Sequence, residues 1–156
     1  MLAYHNRKGI KEFYLDRVRA HRCSNDIVQG YGYWDNGRGC AVGCTVHSSD
    51  VRAYERELGI PMELARLEDM LFEQLPRECA NLWPERFLEA IQPGADLSQV
   101  RSQYTHWVRH DPECLEALTF PGIVAIEWAT QRFGASAKTN VYIRQSDKLL
   151  ELLRAA

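Results

Sequence analysis

A glycine-rich stretch from Gly30 to Ser49 constrains this chain more than any other part of it. It reads GYGYWDNGRGCAVGCTVHSS and places five glycines among three aromatic residues, two cysteines, an arginine and a histidine. Glycine, asparagine and aspartate in such a run interrupt regular structure, so we predict a loop over residues 30–39. Most of the remaining sequence has apolar residues at helical spacing. The sequence therefore predicts a mostly α protein, a single compact helical domain over residues 1–156, with a Gly-rich loop between the first and second helices.

Apolar residues three and four positions apart mark the individual helices. The first is expected over about residues 10–23, with Ile10, Phe13, Tyr14 and Val18 facing inward. The most regular stripe predicts a helix from the turn after Pro61 to Pro76. Shorter helices are expected over residues 50–58, where Gly59 ends the helix, and over 83–91, 100–110 and 112–118. A buried helix is expected over 122–133 and a loop over 135–140. Residues 141–143 are expected to be a strand or the start of a helix, and a last helix is expected from Ser146 or Asp147.

Charge and composition limit the partners and the compartment. The formal net charge is −2, which argues against a general affinity for nucleic acid or an anionic membrane. Residues 1–22 carry six Lys/Arg against two Asp/Glu, and residues 50–96 carry eleven Asp/Glu against five Arg, so we expect the two segments to pair. No apolar run approaches the roughly 20 residues that span a bilayer. Five unpatterned cysteines indicate a reducing, cytoplasmic setting.

Cys40, Cys44 and His47 allow three interpretations. If the chain becomes helical near Cys40, these side chains share one face, which can simply be buried. In a second interpretation Cys40 or Cys44 is a nucleophile, activated by the helix N-terminus, with His47 as base and Asp35, Asn36 or Asp50 orienting the histidine.

The third interpretation of Cys40, Cys44 and His47 is a zinc site. Thiolate and imidazole suit zinc, but structural sites usually have four protein ligands. A fourth ligand would have to come from Cys23, His21 or a more distant residue. No cofactor is favoured by the sequence, and zinc remains the alternative.

The loop residues have a possible binding role of their own. Gly37, Arg38 and Gly39 precede the expected helix, where backbone N–H groups and a guanidinium suit a phosphate or carboxylate. The sequence lacks the Gly-Lys-Ser/Thr ending of a P-loop. The aromatic residues of the loop are suited to stacking on a base, to a partner interface or to packing over the domain; they are Tyr31, Tyr33 and Trp34.

Two further groups of residues are assigned to the surface. His106 and His110 lie four apart but lack the glutamate of a metalloprotease helix, so we expect ordinary helix-end histidines. Glu68, Asp69 and Glu73 are expected to form a solvated acidic helix face.

Two blocks of the sequence resemble a known group of proteins. They are GYGYW…GRGCAVGCTVHSS and ELGIPMELARLED. Together they are similar to small uncharacterised proteins encoded in bacterial, phage and prophage genomes, over roughly residues 4–110. The resemblance implies a bacterial or viral intracellular setting and favours a regulatory or counter-defence interaction protein. It assigns no activity to any residue.

The sequence thus favours a helical protein that acts through a protein or ligand partner. Tyr31, Tyr33, Trp34 and Arg38 are expected on its interaction loop, because aromatic residues and arginine dominate interface energetics. The alternatives are a cysteine-dependent enzyme that uses Cys40 or Cys44 with His47, with the backbone of residues 37–40 as its oxyanion site, and a zinc-stabilised binding module.

Overall fold

The computed structural model describes residues 1–119 and 136–156. The mostly α fold is confirmed, and the glycine-rich segment lies between the first and second helices. The helices are α1 (Lys8–Ser24), α2 (Ala41–Val46), α3 (Met62–Gln74), α4 (Arg77–Ala80), α5 (Trp83–Ala90), α6 (Val100–His110), α7 (Pro112–Thr119) and α8 (Ser136–Ala155), the strands are β1 (Trp34–Asp35) and β2 (Arg38–Gly39), and single helical turns cover Ala3–Asn6, Tyr54–Leu58 and Leu97–Gln99.

The inner face of α1 follows the apolar spacing of its sequence with one exception. Tyr14 and Val18 are buried and Ile10 packs against the core, as predicted. Phe13 is exposed, and the guanidinium of Arg17 lies 4.7 Å from its ring centroid. Adjacent helical positions are about 100° apart, so Tyr14 takes the inward direction and Phe13 faces solvent.

The helix predicted before α3 is shorter in the structure than in the prediction. Residues Tyr54–Leu58 form one π-helical turn, where a helix over 50–58 was expected. Gly59 ends it with a φ of 64°, which confirms the predicted stop. A Cβ at Gly59 would collide with the carbonyl oxygen of Leu2, so this glycine also lets the N-terminal segment pack closely.

The expected C-terminal boundaries are wrong. Helix α8 already begins at Ser136 and runs through the positions assigned to a loop, a strand or helix start, and the cap at Ser146. Its buried leucines, Leu149, Leu150 and Leu153, face a core to which α3, α5 and α6 contribute. Packing of this face against three helices outweighs the polar composition of the first turns. The buried helix expected over 122–133 lies outside the described residues.

One cluster of buried side chains extends from Ala3 to Leu153, with Trp83, Phe72 and Phe87 among its largest members. The basic N-terminal helix is bound to the acidic middle of the chain, as predicted. Arg19 lies 2.6 Å and Arg22 3.0 Å from the carboxylate oxygens of Glu85 on α5.

No helix within the two described ranges is long and apolar enough to cross a membrane.

Candidate functional site

The glycine-rich segment contains a small hairpin that the sequence analysis assigned to a loop. Strands β1 and β2 pair antiparallel, with Trp34 opposite Gly39. The turn between them is Asn36-Gly37, with φ values of 50° and 83°. Two consecutive positive φ angles define the turn type that suits a two-residue hairpin, and Asn-Gly is its commonest sequence. This dipeptide was the signal from which the hairpin could have been predicted.

Two glycines let the Tyr33 carbonyl lie directly against the backbone, Gly39 on strand β2 of the hairpin itself and Gly43 on α2. A Cβ atom at Gly39 or at Gly43 would collide with the backbone carbonyl of Tyr33. The amide of Cys40 donates to the carbonyl oxygen of Gly32 at 2.9 Å and joins the two segments again. The spacing of these glycines therefore serves backbone-to-backbone packing.

Two of the backbone amides proposed as an anion or oxyanion site are used inside the protein. Gly39 N–H donates to the carbonyl oxygen of Asp26 at 3.1 Å, and the Cys40 amide donates to Gly32. The Arg38 side chain is 58 % exposed, and its Nε lies 3.7 Å from a carboxylate oxygen of Asp26. Gly37 and the Arg38 side chain are the exposed members of the predicted group.

Both cysteines of the stretch are buried. Cys40 immediately precedes α2, and its thiol lies near the carboxylate of Asp69. Burial, followed by this nearby carboxylate, raises the pKa of the Cys40 thiol far above its usual range. Burial also raises the pKa of Cys44 to about 12, and its thiol donates to the carbonyl oxygen of Gly39 at 3.4 Å. The environment therefore stabilises the neutral thiols and not the thiolate that a nucleophile or a zinc ligand requires.

The hydrogen-bond partner of His47 is a second histidine. His47 follows the last residue of α2 in a left-handed conformation, with a φ of 53°, so it does not continue the helical face of Cys40 and Cys44. Its ring nitrogen Nε2 lies 2.6 Å from Nε2 of His21 on α1. No hydrogen bond joins His47 to either cysteine among the contacts of the described chain, and the three residues do not form one site.

His47 and His21 form a hydrogen-bonded pair with a carboxylate behind it. The two ring centroids are 4.9 Å apart. This equals the Nε2–Nε2 distance plus the distance from each ring centre to its Nε2 atom, so the two Nε2 atoms point at each other. Nδ1 of His21 lies 3.2 Å from the carboxylate of Asp26. Since a carboxylate accepts, His21 carries a proton on Nδ1. In the neutral pair Nε2 of His21 then accepts the Nε2–H of His47.

Trp34 fixes the outer histidine. Its indole stacks on the His47 ring with centroids 4.4 Å apart and an interplanar angle of 15°, and its edge meets His21. Burial lowers the pKa of His47, and the nearby charges of Arg17 and His21 lower it further. The hairpin, α1 and the end of α2 thus meet at two imidazoles and one indole at the protein surface.

The remaining predicted binding residues divide into two groups. Tyr31 is 45 % exposed in the loop before the hairpin. Trp34 and Tyr33 are both half-buried and pack against the core, and Trp34 also stacks on His47. Tyr31 and Arg38 are the most exposed of the predicted binding residues, and Trp34 lies between them in sequence beside the histidines.

The acidic residues of α3 are not a solvated face, which corrects the sequence-based expectation. Glu68 is completely buried and accepts a hydrogen bond from the Tyr54 hydroxyl at 2.6 Å. Asp69 is partly buried near the Cys40 thiol, and Glu73 accepts from the amide of Gly30 at 2.7 Å. These carboxyl groups connect α3 to the core and to the glycine-rich segment.

The sequence analysis missed Asp26 as a site residue. His21 was considered only as a fourth zinc ligand, and nothing in its local sequence indicates a carboxylate partner five residues later. His106 and His110 are exposed near the end of α6, as expected. No group of three or more His, Cys, Asp or Glu side chains in residues 1–119 and 136–156 is arranged to hold a metal ion.

Comparison with models of known protein families, with curated proteins and with solved structures finds no significant match to this chain.

Proposed function

We propose that this protein acts by binding a partner protein through a surface formed by Tyr31, Trp34 and Arg38, here called the hairpin surface. The observation that supports it is the direct packing of the hairpin backbone on α2, which holds an aromatic and a cationic side chain at the surface in one arrangement. Tyrosine, tryptophan and arginine contribute more to binding free energy than other interface residues.

The cationic side chains next to the hairpin surface favour an acidic partner segment. Arg38 is exposed, and Arg17 is held beside His47 by a hydrogen bond from its guanidinium to the carbonyl oxygen of Thr45 at 2.9 Å. Two carboxylates belong to this group: Asp26 has His21 and Arg38 as partners, and Asp35, opposite Arg38 in the hairpin, accepts from the Asn36 amide. A carboxylate of the partner would therefore meet guanidinium and imidazole donors, with which it forms charge-assisted hydrogen bonds.

The partner is first identified by photo-crosslinking from position 31 in the source cells, and its affinity is then measured with purified components. We expect Tyr31→Ala and Arg38→Glu each to weaken binding by roughly tenfold or more, about 1.4 kcal/mol, because interface aromatic and arginine residues carry most of the binding energy. Far-UV circular dichroism and thermal unfolding establish that each variant is folded.

Two matched variants serve as controls. Leu82 is 44 % exposed against 45 % for Tyr31, and Arg109 is an exposed arginine on α6. Leu82→Ala and Arg109→Glu should retain the wild-type affinity. Equal affinities for the hairpin-surface variants and the controls would refute the proposal, as would a crosslinked protein that does not bind when purified.

A further inference from the structure

The histidine pair presents two metal-binding atoms at one point of the surface. Nε2 of His21 and Nε2 of His47 face each other at 2.6 Å, and one proton lies between them. Imidazole nitrogen is a common ligand of zinc and of its first-row neighbours copper and nickel. His47 is exposed, so a small ion can reach these atoms from solvent.

The groups behind the two rings are those that support a metal-bound histidine. Histidines that bind metals usually donate the other ring N–H to a carboxylate, which fixes the tautomer and makes the free nitrogen more basic. Asp26 occupies this position on Nδ1 of His21 at 3.2 Å. Stacking on Trp34 limits the orientations of the His47 ring. Nε2 of His21 therefore presents a lone pair toward His47 in the neutral pair.

We propose that His21 and His47 chelate one divalent transition-metal ion, zinc foremost, through their Nε2 atoms. The ion takes the place of the proton that the two nitrogens share. That proton moves to Nδ1 of His47, so the ring stays neutral and no further base is needed. With Zn–N bonds of about 2.0–2.1 Å, the two nitrogens move from 2.6 Å to roughly 3.3 Å apart.

The exposed His47 ring makes room for the ion by turning in the plane of its stack on Trp34. The described residues supply two ligands, and water completes the coordination shell. The site differs from the zinc site considered from the sequence, since both cysteines of that site are buried and the Cys44 thiol donates to the Gly39 carbonyl oxygen.

A second histidine pair provides the internal control. His106 and His110 are exposed on α6 with stacked rings whose centroids are 4.2 Å apart. Nδ1 of His110 donates to the carbonyl oxygen of His106 at 2.7 Å. This pair has the same number of imidazoles on the surface, but no carboxylate within residues 1–119 and 136–156 is hydrogen-bonded to its ring nitrogens.

The experiment titrates untagged, metal-free protein with Zn²⁺ alone in a calorimeter, and with Co²⁺ followed by visible absorption. We expect one equivalent of metal in the wild type and loss of this binding in His21→Gln and in His47→Gln. Asp26→Asn should weaken the affinity roughly 10–100-fold, the usual effect of removing the group that orients a metal-bound histidine. His106→Gln should bind as the wild type does.

Absence of stoichiometric binding, or its loss in His106→Gln and not in His47→Gln, would overturn the proposal. Circular dichroism of each variant excludes unfolding as the cause of a loss. The measurement contains no partner protein, so its outcome is independent of the proposed function of the hairpin surface.

Discussion

Gly43 and Gly9 are two helical glycines with opposite surroundings. A Cβ at Gly43 would collide with the Tyr33 carbonyl, whereas a Cβ at Gly9 has no atom within 4 Å. Gly43→Ala should therefore lower the free energy of unfolding by about 1–3 kcal/mol or more, the cost of overpacking a rigid contact. Gly9→Ala should raise it by about 0.5–1 kcal/mol, because alanine is the better helix former. Urea denaturation at neutral pH measures both changes.

A neutral or stabilising Gly43→Ala would show that the hairpin can move away from α2, and the close backbone contact would then not be essential.

Glu68 makes stability depend on pH through its buried carboxyl group. Burial raises its pKa well above the usual range, while the hydrogen bond from Tyr54 lowers it. Since an unfolded glutamate has a pKa of about 4.3, the folded protein binds this proton more tightly. The contribution to stability is fully present below that pH and is lost as the pH rises toward the folded pKa.

Glu68→Gln removes this titration. The stability of the wild type minus that of Glu68→Gln should fall as the pH rises from about 4.5 to 8, by up to about 1.4 kcal/mol per pH unit. Tyr54→Phe deletes a bond that lowers the Glu68 pKa, so its stability should continue to fall to a higher pH than that of the wild type. Denaturant unfolding at several pH values measures the slopes, and parallel curves for wild type and Glu68→Gln would contradict the assignment.

At the residue level, the sequence analysis named some residues of the site but did not predict which of them contact each other. His47 and Trp34 were candidates because their types carry chemistry. Their actual neighbour, His21, is 26 residues from His47, and the contact depends on the left-handed backbone at His47. Helical periodicity cannot predict the contact between His21 and His47, because a periodic pattern assumes that the helix continues through His47.

At the level of elements, helical periodicity predicted α1 and α3 well and failed where packing or turn geometry decides. The stripe of α3 gave the helix but placed Glu68 on the wrong side, because a charged residue was assumed to face solvent. The start of α8 was missed because the composition of residues 136–140 is polar. The hairpin was missed although Asn36-Gly37 indicates it.

The position of α2 predicts how the cysteines react. Cys23 is exposed, whereas Cys40 and Cys44 are buried and their thiol pKa values are raised. Iodoacetamide should therefore label Cys23 first, and labelling of the two α2 thiols should be limited by opening of the structure. Mass spectrometry of native protein at several pH values measures the individual rates.

Cys23→Ser provides the control, since it should remove the fast phase and leave the slow phase unchanged. Fast labelling of Cys40 or Cys44 below neutral pH would instead support the cysteine-dependent enzyme.

At the scale of the whole molecule, the basic and acidic segments of the chain largely form ion pairs with each other. Arg19 and Arg22 on α1 share Glu85, and Arg19 also binds Glu89, so the basic N-terminal helix is held on the acidic α5. Lys11 donates to the carbonyl oxygens of Glu89 and Ile91 at the end of the same helix. The net charges of the two segments were enough to predict that they pair, because opposite charges far apart in sequence can meet in a compact fold.

The contact between the Tyr33 carbonyl and Gly43 has a consequence for the kinetics of the proposed recognition. With no side chain at this contact between hairpin and helix, a shift of the hairpin would move α2, whose residues are all buried. A partner that binds as proposed would meet a surface that needs little ordering, and association would lose little conformational entropy. Binding should then proceed in one step, with an observed rate that rises linearly with partner concentration and with differences in affinity that reside mainly in dissociation.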